Sequence, residues 1–366
     1  MMTVPRNPTS WRPDARRRGR GARSNASGRH ERETRLSDPD VWETEPEPPV
    51  LRTEVTVEQP RSIIARNRSP DIPFDRSINP YRGCEHGCVY CYARPSHANL
   101  GLSPGLDFET RLFAKPDAAK LLRAELAKPG YRCAPIAIGT NTDPYQPIER
   151  EWRVMRSILE VLEEARHPVT IVTKSHLVTR DLEILARMAR RNLVKVALSV
   201  TTRDHRLARR LEPRASTPAR RLEAVRALAE AGVPAGVMVA PVIPGLTDHE
   251  MESILEAAAQ AGAAEVGWIL LRLPREIADL FAEWLDEEAP DRAGRVMGLL
   301  RGMRGGRAND PRFGRRMRGD GPYADMLARR FKLAAARLGL DRAPVRLDTR
   351  AFRPRREPSD QLSLFE

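Results

Sequence analysis

Gly83-Cys84-Glu85-His86-Gly87-Cys88-Val89-Tyr90-Cys91-Tyr92-Ala93-Arg94 follows the first β-rich run of the chain, residues 77–82, and everything downstream is read against it. Three cysteines stand in a C-x3-C-x2-C arrangement on one short loop. Three thiolates closing over one loop suit a 4Fe–4S cluster, which has four irons to ligate. The remaining cysteine, Cys133, lies outside the loop, so one iron would stay open to a small molecule. The competing reading is a structural zinc site. Zinc usually takes four ligands, often with a second C-x2-C pair downstream. Here His86 lies inside the loop and no second pair follows, which favours iron–sulfur.

Beyond the loop, β-rich runs alternate with amphipathic ones. Strands are predicted at 77–82, 135–139, 168–173, 194–200, 234–240 and 265–271. Trp152, Met155, Ile158, Leu159 and Leu162 recur at helical spacing, and further helices are predicted at 180–191, 218–231 and 248–261. Gly232 and Gly262 act as stop signals, and Thr179 and Thr217 read as N-caps. Six such units give an α/β class with a parallel sheet and helices outside it. Periodicity leaves a doubly wound sheet and a complete or incomplete barrel equally open. In each of these the chemistry belongs at the carboxyl ends of the strands. The polar residues gather there: Thr140, Asn141, Thr142 and Asp143 after the second strand, Thr173, Lys174, Ser175 and His176 after the third, Ser199, Thr201 and Thr202 after the fourth. The cysteine loop follows the first strand and is expected at the same rim.

The chain has 366 residues, 41% of them hydrophobic, enough for a proper core. Four cysteines, three of them clustered, do not make a disulfide framework, so a reducing cytoplasm is expected. No stretch is long and apolar enough to span a membrane, and the arginine-rich start has no apolar segment after it, so no secretory signal is read there. A net charge of +13 favours a polyanionic partner, nucleic acid first, although an arginine-rich ordinary surface gives the same number. Residues 1–60, basic and then acidic, are expected to form a disordered arm. A core barrel is expected over 61–290, a basic extension with a helix over 291–342, and a linker and tail over 343–366. The extension carries Arg301, Arg304, Arg307, Arg312, Arg315, Arg316 and Arg318, candidates for a nucleic-acid backbone, with Met303, Phe313 and Met317 interleaved to pack on the core.

A C-x3-C-x2-C loop after the first strand of a β/α repeat, with Tyr90 just before the last cysteine, resembles the radical S-adenosylmethionine superfamily. The resemblance implies a partial (β/α)6 TIM-like barrel. It also implies a 4Fe–4S cluster held by Cys84, Cys88 and Cys91, with S-adenosylmethionine chelated at the open iron. One electron from a low-potential donor, ferredoxin or flavodoxin, then yields a 5′-deoxyadenosyl radical. Within the superfamily the chain looks most like the branch around spore photoproduct lyase. The likeness rests on Tyr90 and Tyr92 flanking Cys91, on Thr142-Asp143, Val172-Thr173-Lys174, Leu198-Ser199 and Val239-Ala240-Pro241. By that analogy Tyr90, Thr142, Asp143, Lys174 and Ser199 surround the cofactor, and Tyr92 belongs to a hydrogen-transfer path. An ammonium at the rim also suits a carboxylate on simple grounds, while a surface lysine is the plainer reading. The branch has a hydrogen-donating cysteine after the second strand. This chain has Gly139-Thr140-Asn141 there and no cysteine, a departure from the branch that leaves a different lesion or another nucleotide-centred radical reaction open.

The last residues, Gln361, Leu362, Ser363, Leu364 and Phe365, follow a Pro/Arg-rich linker. Large apolar residues on a polar tail suit a peptide that docks in an apolar groove. The run resembles the sliding-clamp-binding peptide of bacterial replication and repair proteins, with Leu364 and Phe365 as anchors. Folding back over the barrel's open edge is the alternative. Together these features point to a lyase-like radical enzyme acting on damaged or modified DNA. Modification of RNA or protein, or a non-catalytic iron–sulfur protein tethered to the clamp, are the rival classes.

Overall fold

The structure, a computed structural model, describes residues 19–31 and 51–354. Its strands are β1 Glu54–Val57, β2 Ile64–Arg66, β3 Arg76–Ile78, β4 Tyr81–Arg82, β5 Arg111–Ala114, β6 Ile136–Ile138, β7 Val169–Thr173, β8 Val194–Ser199, β9 Ala235–Val242 and β10 Glu265–Leu270. The helices are α1 Asp107–Thr110, α2 Ala118–Leu126, α3 Glu149–Trp152, α4 Val154–Glu164, α5 Leu182–Ala189, α6 His205–Leu211, α7 Pro218–Glu230, α8 Met251–Gln260, α9 Ile277–Glu288, α10 Pro290–Gly302 and α11 Pro322–Arg337. All six predicted strands form. The first divides into β3 and β4, which lie in different sheets.

The main sheet runs β10-β9-β8-β7-β6-β3-β2. The first six are mutually parallel, and β2 adds antiparallel to β3. Helices cross between the parallel strands, giving the partial (β/α)6 barrel. Inward residues alternate on β7, where Val169, Ile171 and Thr173 are buried and Thr170 and Val172 less so. Ile158 and Leu162 of α4, Leu185 of α5, Val225 and Leu228 of α7, and Ile254 and Leu255 of α8 pack in the same core. Removing such side chains from water supplies the main drive for folding. Thr217 caps α7, its hydroxyl accepting from the Arg220 N–H at 3.4 Å, with Pro218 in the first turn. Thr179 is no N-cap. It lies inside a 3-10 turn, His176–Asp181, and donates to the His176 carbonyl at 2.9 Å, while Ser175 caps that turn.

Edges β10 and β2 do not pair with each other. The basic segment crosses between them instead. Leu270 N–H donates to the Met317 carbonyl at 2.9 Å, and Gly314 N–H donates to Asp71 Oδ1 at 2.7 Å. Arg316 pairs with the same Asp71, which lies between β2 and β3.

Two stretches depart from the expected organisation. Inside the arm expected to be disordered, residues 19–31 are packed and residues 54–57 form a strand. β1 pairs with β5 in a small sheet with β4, and residues 19–31 lie against the cysteine loop. Composition failed there because backbone N–H groups, which composition does not register, make the decisive bonds. The start of the expected linker is docked along the amino-terminal rim. Val345 N–H donates to Glu265 Oε1 at 2.6 Å, Asp348 N–H to the Asn192 carbonyl at 2.9 Å, and Arg353 N–H to the Ala165 carbonyl at 2.9 Å. Phe352 packs on Tyr131 and His167 at 5.5 and 5.2 Å between ring centroids. Gln361, Leu362, Leu364 and Phe365 lie outside the described residues.

Candidate functional site

The cysteine loop sits at the carboxyl rim of the strands because several separate elements grip it. Arg94, fully buried, is the central staple. Its Nε donates to the Cys88 carbonyl at 2.9 Å, and its terminal nitrogens donate to the carbonyls of Gly87, Pro104 and Gly105 at 3.1, 3.1 and 2.8 Å. Its charge is met by the equally buried Glu109. Glu109 also accepts from the N–H groups of Gly21 and Ala22 at 2.9 and 2.8 Å, which straps residues 19–31 across the loop. Gly21 must be glycine, since a Cβ there would lie 1.7 Å from the Gly87 carbonyl oxygen. Gly87 itself has a φ of +69°, in the left-handed region that favours glycine. Val89 N–H donates to the Leu211 carbonyl at 3.1 Å, and Cys88, Val89 and Tyr90 pack in a second apolar cluster with Phe281 and Trp284 of α9.

The strand-end residues converge on this loop. Asp143 accepts from Thr173 Oγ1 and Lys174 N–H, both at 2.7 Å, and from Tyr145 N–H at 2.9 Å. His86 Nδ1 lies 3.4 Å from it. Burial would raise the Asp143 carboxyl, but the His86 ring and these hydrogen bonds outweigh it and hold the group at about 2. Asp143 is therefore a carboxylate at neutral pH, locking the ends of β6 and β7 to the loop. Thr142 is buried and donates to the Tyr81 carbonyl at 2.9 Å. The Lys174 ammonium lies over the Tyr90 ring, 5.7 Å from its centroid. Ser199 is buried at the end of β8, where its carbonyl accepts from Arg221 at 2.9 Å. Tyr92 is 48% exposed at the rim, its hydroxyl donating to the Thr140 carbonyl.

Beneath Tyr90 lies a network that the sequence did not reveal. Glu212 accepts from Tyr90, from Thr201 at 2.8 Å and from Arg221, and Glu212 and Arg221 are both buried. Burial would raise Glu212, yet Arg221 first and Lys174 next hold it at about 2. Glu212 and Arg221 sit among charged surface-like helical sequence, and nothing in their local pattern marks them as buried.

The basic segment reaches the same rim, since Arg272, just beyond β10, lies over the Tyr92 ring at 5.6 Å and donates to Met317 Sδ at 3.5 Å. Arg301, Arg307, Arg312, Arg315 and Arg318 are exposed. Arg312 pairs with Asp310 and Arg315 with Asp320, while Arg316 is half-buried against Asp71. Arg304 departs from the expected role. It is buried and donates to the Leu271 and Arg316 carbonyls at 2.6 and 3.2 Å, so it holds the segment to the barrel and presents nothing to a partner. Cys133 stands before β6, at the opposite rim from the loop, and burial pushes its thiol up to about 11.

The loop's donor set fits an iron–sulfur cluster. All three thiols are free, Cys84 and Cys88 are buried and Cys91 is partly so. Burial pushes the Cys84 thiol well up, and nearby Asp143, Cys88 and Cys91 push further; burial does the same for Cys88. Thiols so placed become thiolates when cationic iron offsets the burial. Among the described residues, no three His, Cys, Asp or Glu side chains are grouped closely enough to hold one metal ion. A zinc ion needs all its ligands within about 2.3 Å of one point, whereas a cluster gives each cysteine its own iron.

Residues 78–258 match the Radical SAM superfamily, whose members use a 4Fe–4S cluster and S-adenosylmethionine. An uncharacterized protein of Mycobacterium tuberculosis is 39% identical over 242 residues, covering 65% of this chain and 71% of the relative. An uncharacterized protein of Methanocaldococcus jannaschii is 29% identical over 175 residues, 47% of this chain and 62% of the relative. The fold is similar to that of spore photoproduct lyase complexed with dinucleoside spore photoproduct, with a TM-score of 0.56 at 16% identity over 78% of this chain and 79% of that one. With the superfamily match running from β3 into α8, across the loop and the ends of β6, β7 and β8, the chain belongs to the Radical SAM superfamily.

Proposed function

We propose that this is a cytoplasmic enzyme that acts on damaged or modified DNA, opening or rearranging a photoproduct-like lesion. The observation that carries the reading is the position of the basic segment. Arg312, Arg315 and Arg318 are exposed on the segment whose Met317 meets Arg272 beside Tyr92, and such a run of cations suits a nucleic-acid backbone. The solved enzyme of similar fold was complexed with a dinucleoside photoproduct, in keeping with that substrate class.

When bound, the cluster and S-adenosylmethionine together supply a 5′-deoxyadenosyl radical. The chain's own residues bind and orient. Cys84, Cys88 and Cys91 are the ligands. Lys174 offers an ammonium to the methionine carboxylate, with Ser199 beside it on the next strand. Asp143 and Thr142, fixed by their hydrogen bonds, shape the side nearest the loop. Tyr90 is held from below by Glu212, and exposed Tyr92 stands where a hydrogen atom would pass to or from substrate. The target base must leave the stack to reach this rim, which costs least at a damaged site. Electrons come from a ferredoxin or flavodoxin. The tail residues Gln361, Leu362, Leu364 and Phe365 dock on the bacterial sliding clamp and bring the enzyme to DNA.

The test is anaerobic. Reconstituted, reduced protein is given S-adenosylmethionine, and 5′-deoxyadenosine is quantified with intact DNA, UV-irradiated DNA, RNA and protein. Production stimulated by irradiated DNA supports the proposal. Stimulation by RNA or protein alone selects the rival substrate, and no production from protein with a full cluster defeats the catalytic reading.

A further inference from the structure

Two of the fully buried arginines are paired with carboxylates, Arg94 with Glu109 and Arg221 with Glu212, and Arg304 is held by the Leu271 and Arg316 carbonyls. Among the described residues the half-buried Arg272 has neither kind of partner. Leu271, its neighbour, is tied to the Val242 carbonyl at 2.9 Å and accepts from Arg304 at 2.6 Å, so Arg272 leaves the rim from a fixed backbone. Its side chain lies over the Tyr92 ring, next to Cys91. Among the described residues no carboxylate pairs with it. Its Nε is buried without a partner, and a terminal nitrogen meets only the Met317 thioether, a weak acceptor. Burial, and then Arg316, lower its pKa, while Tyr92 and Asp71 act the other way. Leaving a guanidinium desolvated and unpaired is costly, and an oxyanion is the group that relieves it.

Phe313 adds a second element. It is 59% exposed, an unusual position for a large aromatic ring. The Arg316 guanidinium covers one face at 4.8 Å and leaves the other to solvent. Arg316 thus adjoins both residues. A planar guanidinium fork matches a phosphate, and an exposed ring backed by a cation suits a nucleobase.

We infer that Arg272 and Phe313 form a nucleotide subsite at the rim, in which Arg272 takes a backbone phosphodiester and Phe313 stacks the adjoining base. The inference rests on the DNA reading above and gives it a location. A methionine carboxylate shares the oxyanion chemistry, so the test separates the two sources.

Anisotropy of a labelled oligothymidylate is compared with that of the same strand carrying neutral methylphosphonate linkages, on the cluster-loaded protein. The native protein is expected to prefer the charged strand, and Arg272→Gln to reduce that preference about tenfold and the salt slope by about one. Phe313→Ala, an exposed change that leaves the core alone, is expected to lose discrimination between base-bearing and abasic strands. An undiminished preference for charge in Arg272→Gln overturns the phosphate half, and undiminished discrimination in Phe313→Ala overturns the stacking half. Loss of S-adenosylmethionine affinity with DNA affinity kept assigns Arg272 to the cofactor and overturns the proposal. A native protein that binds no DNA at all overturns the substrate reading and the subsite together.

Discussion

Glu212 shows what a single buried side chain does for this site. It ties Tyr90, Thr201 and Arg221 together beneath the cysteine loop. Glu212→Gln leaves Arg221 as an uncompensated buried charge and is expected to destabilise the protein by ~3–5 kcal/mol. Tyr90→Phe removes a hydroxyl that meets both Glu212 and Thr201 but strands no charge, and is expected to cost less, ~2 kcal/mol. Denaturant melts of both variants check the contrast, and equal losses would mean the ion pair does not hold the loop. Cys88→Ala is expected to lose the cluster, read as iron content and visible absorbance. A fully occupied cluster in that variant sinks the ligand assignment. At this scale the position of the cysteine loop at the strand ends was legible in the sequence, and so was that of Asp143 and Lys174, because each follows a recognisable strand. Glu212 was not, since Tyr90 and Glu212 are 122 residues apart and only the fold brings them together.

Elements tell a parallel story. The six barrel strands were legible within a few residues, because β-branched runs such as Val-Thr-Ile-Val-Thr at β7 carry the pattern of a buried strand. The small sheet was not, since β4 has two residues and β5 four, too short for periodicity to speak. Helix α9 was missed although Ile277, Leu280, Phe281, Trp284 and Leu285 keep helical spacing. Residues 19–31 read as a basic arm because their partner is Glu109, a contact no local pattern encodes. Gly21→Val is expected to lift this strap, since its Cβ has no room beside Gly87. Faster loss of iron to a chelator than in the native protein is the measurement, and equal rates would show that the strap does not shield the loop. At the other rim His167 is buried beneath Phe352, and burial lowers its pKa to about 4. The unfolded chain then binds a proton that the folded chain refuses. Stability from this group is full above about pH 6.5 and declines as pH falls toward 4, by ~2 kcal/mol at pH 5. Thermal melts at pH 7 and pH 5 should show a smaller drop for His167→Gln than for the native chain. Equal drops would place the acid sensitivity elsewhere.

Taken whole, the molecule is an incomplete barrel whose open edges the basic segment ties together. Asp71 meets Arg316 and the Gly314 N–H, joining the two edges of the sheet through the basic segment. Asp71→Asn is expected to speed hydrogen exchange at Gly314 and to open residues 312–318 to trypsin, with the strands themselves unchanged. Protection equal to the native protein would mean that Arg304 and the Leu270–Met317 bond suffice to hold the segment. Deleting residues 361–366 is expected to abolish clamp binding and leave S-adenosylmethionine cleavage intact; a fall in cleavage would place the tail in the catalytic unit. The strap over the cysteine loop has one more consequence. Residues 19–31 leave the ribosome well before Glu109, the residue on which they dock. Order in the chain and order of docking therefore differ: the strap is made first but has nothing to dock on until Glu109 follows, and until it docks the loop it crosses stays open to incoming iron and sulfide.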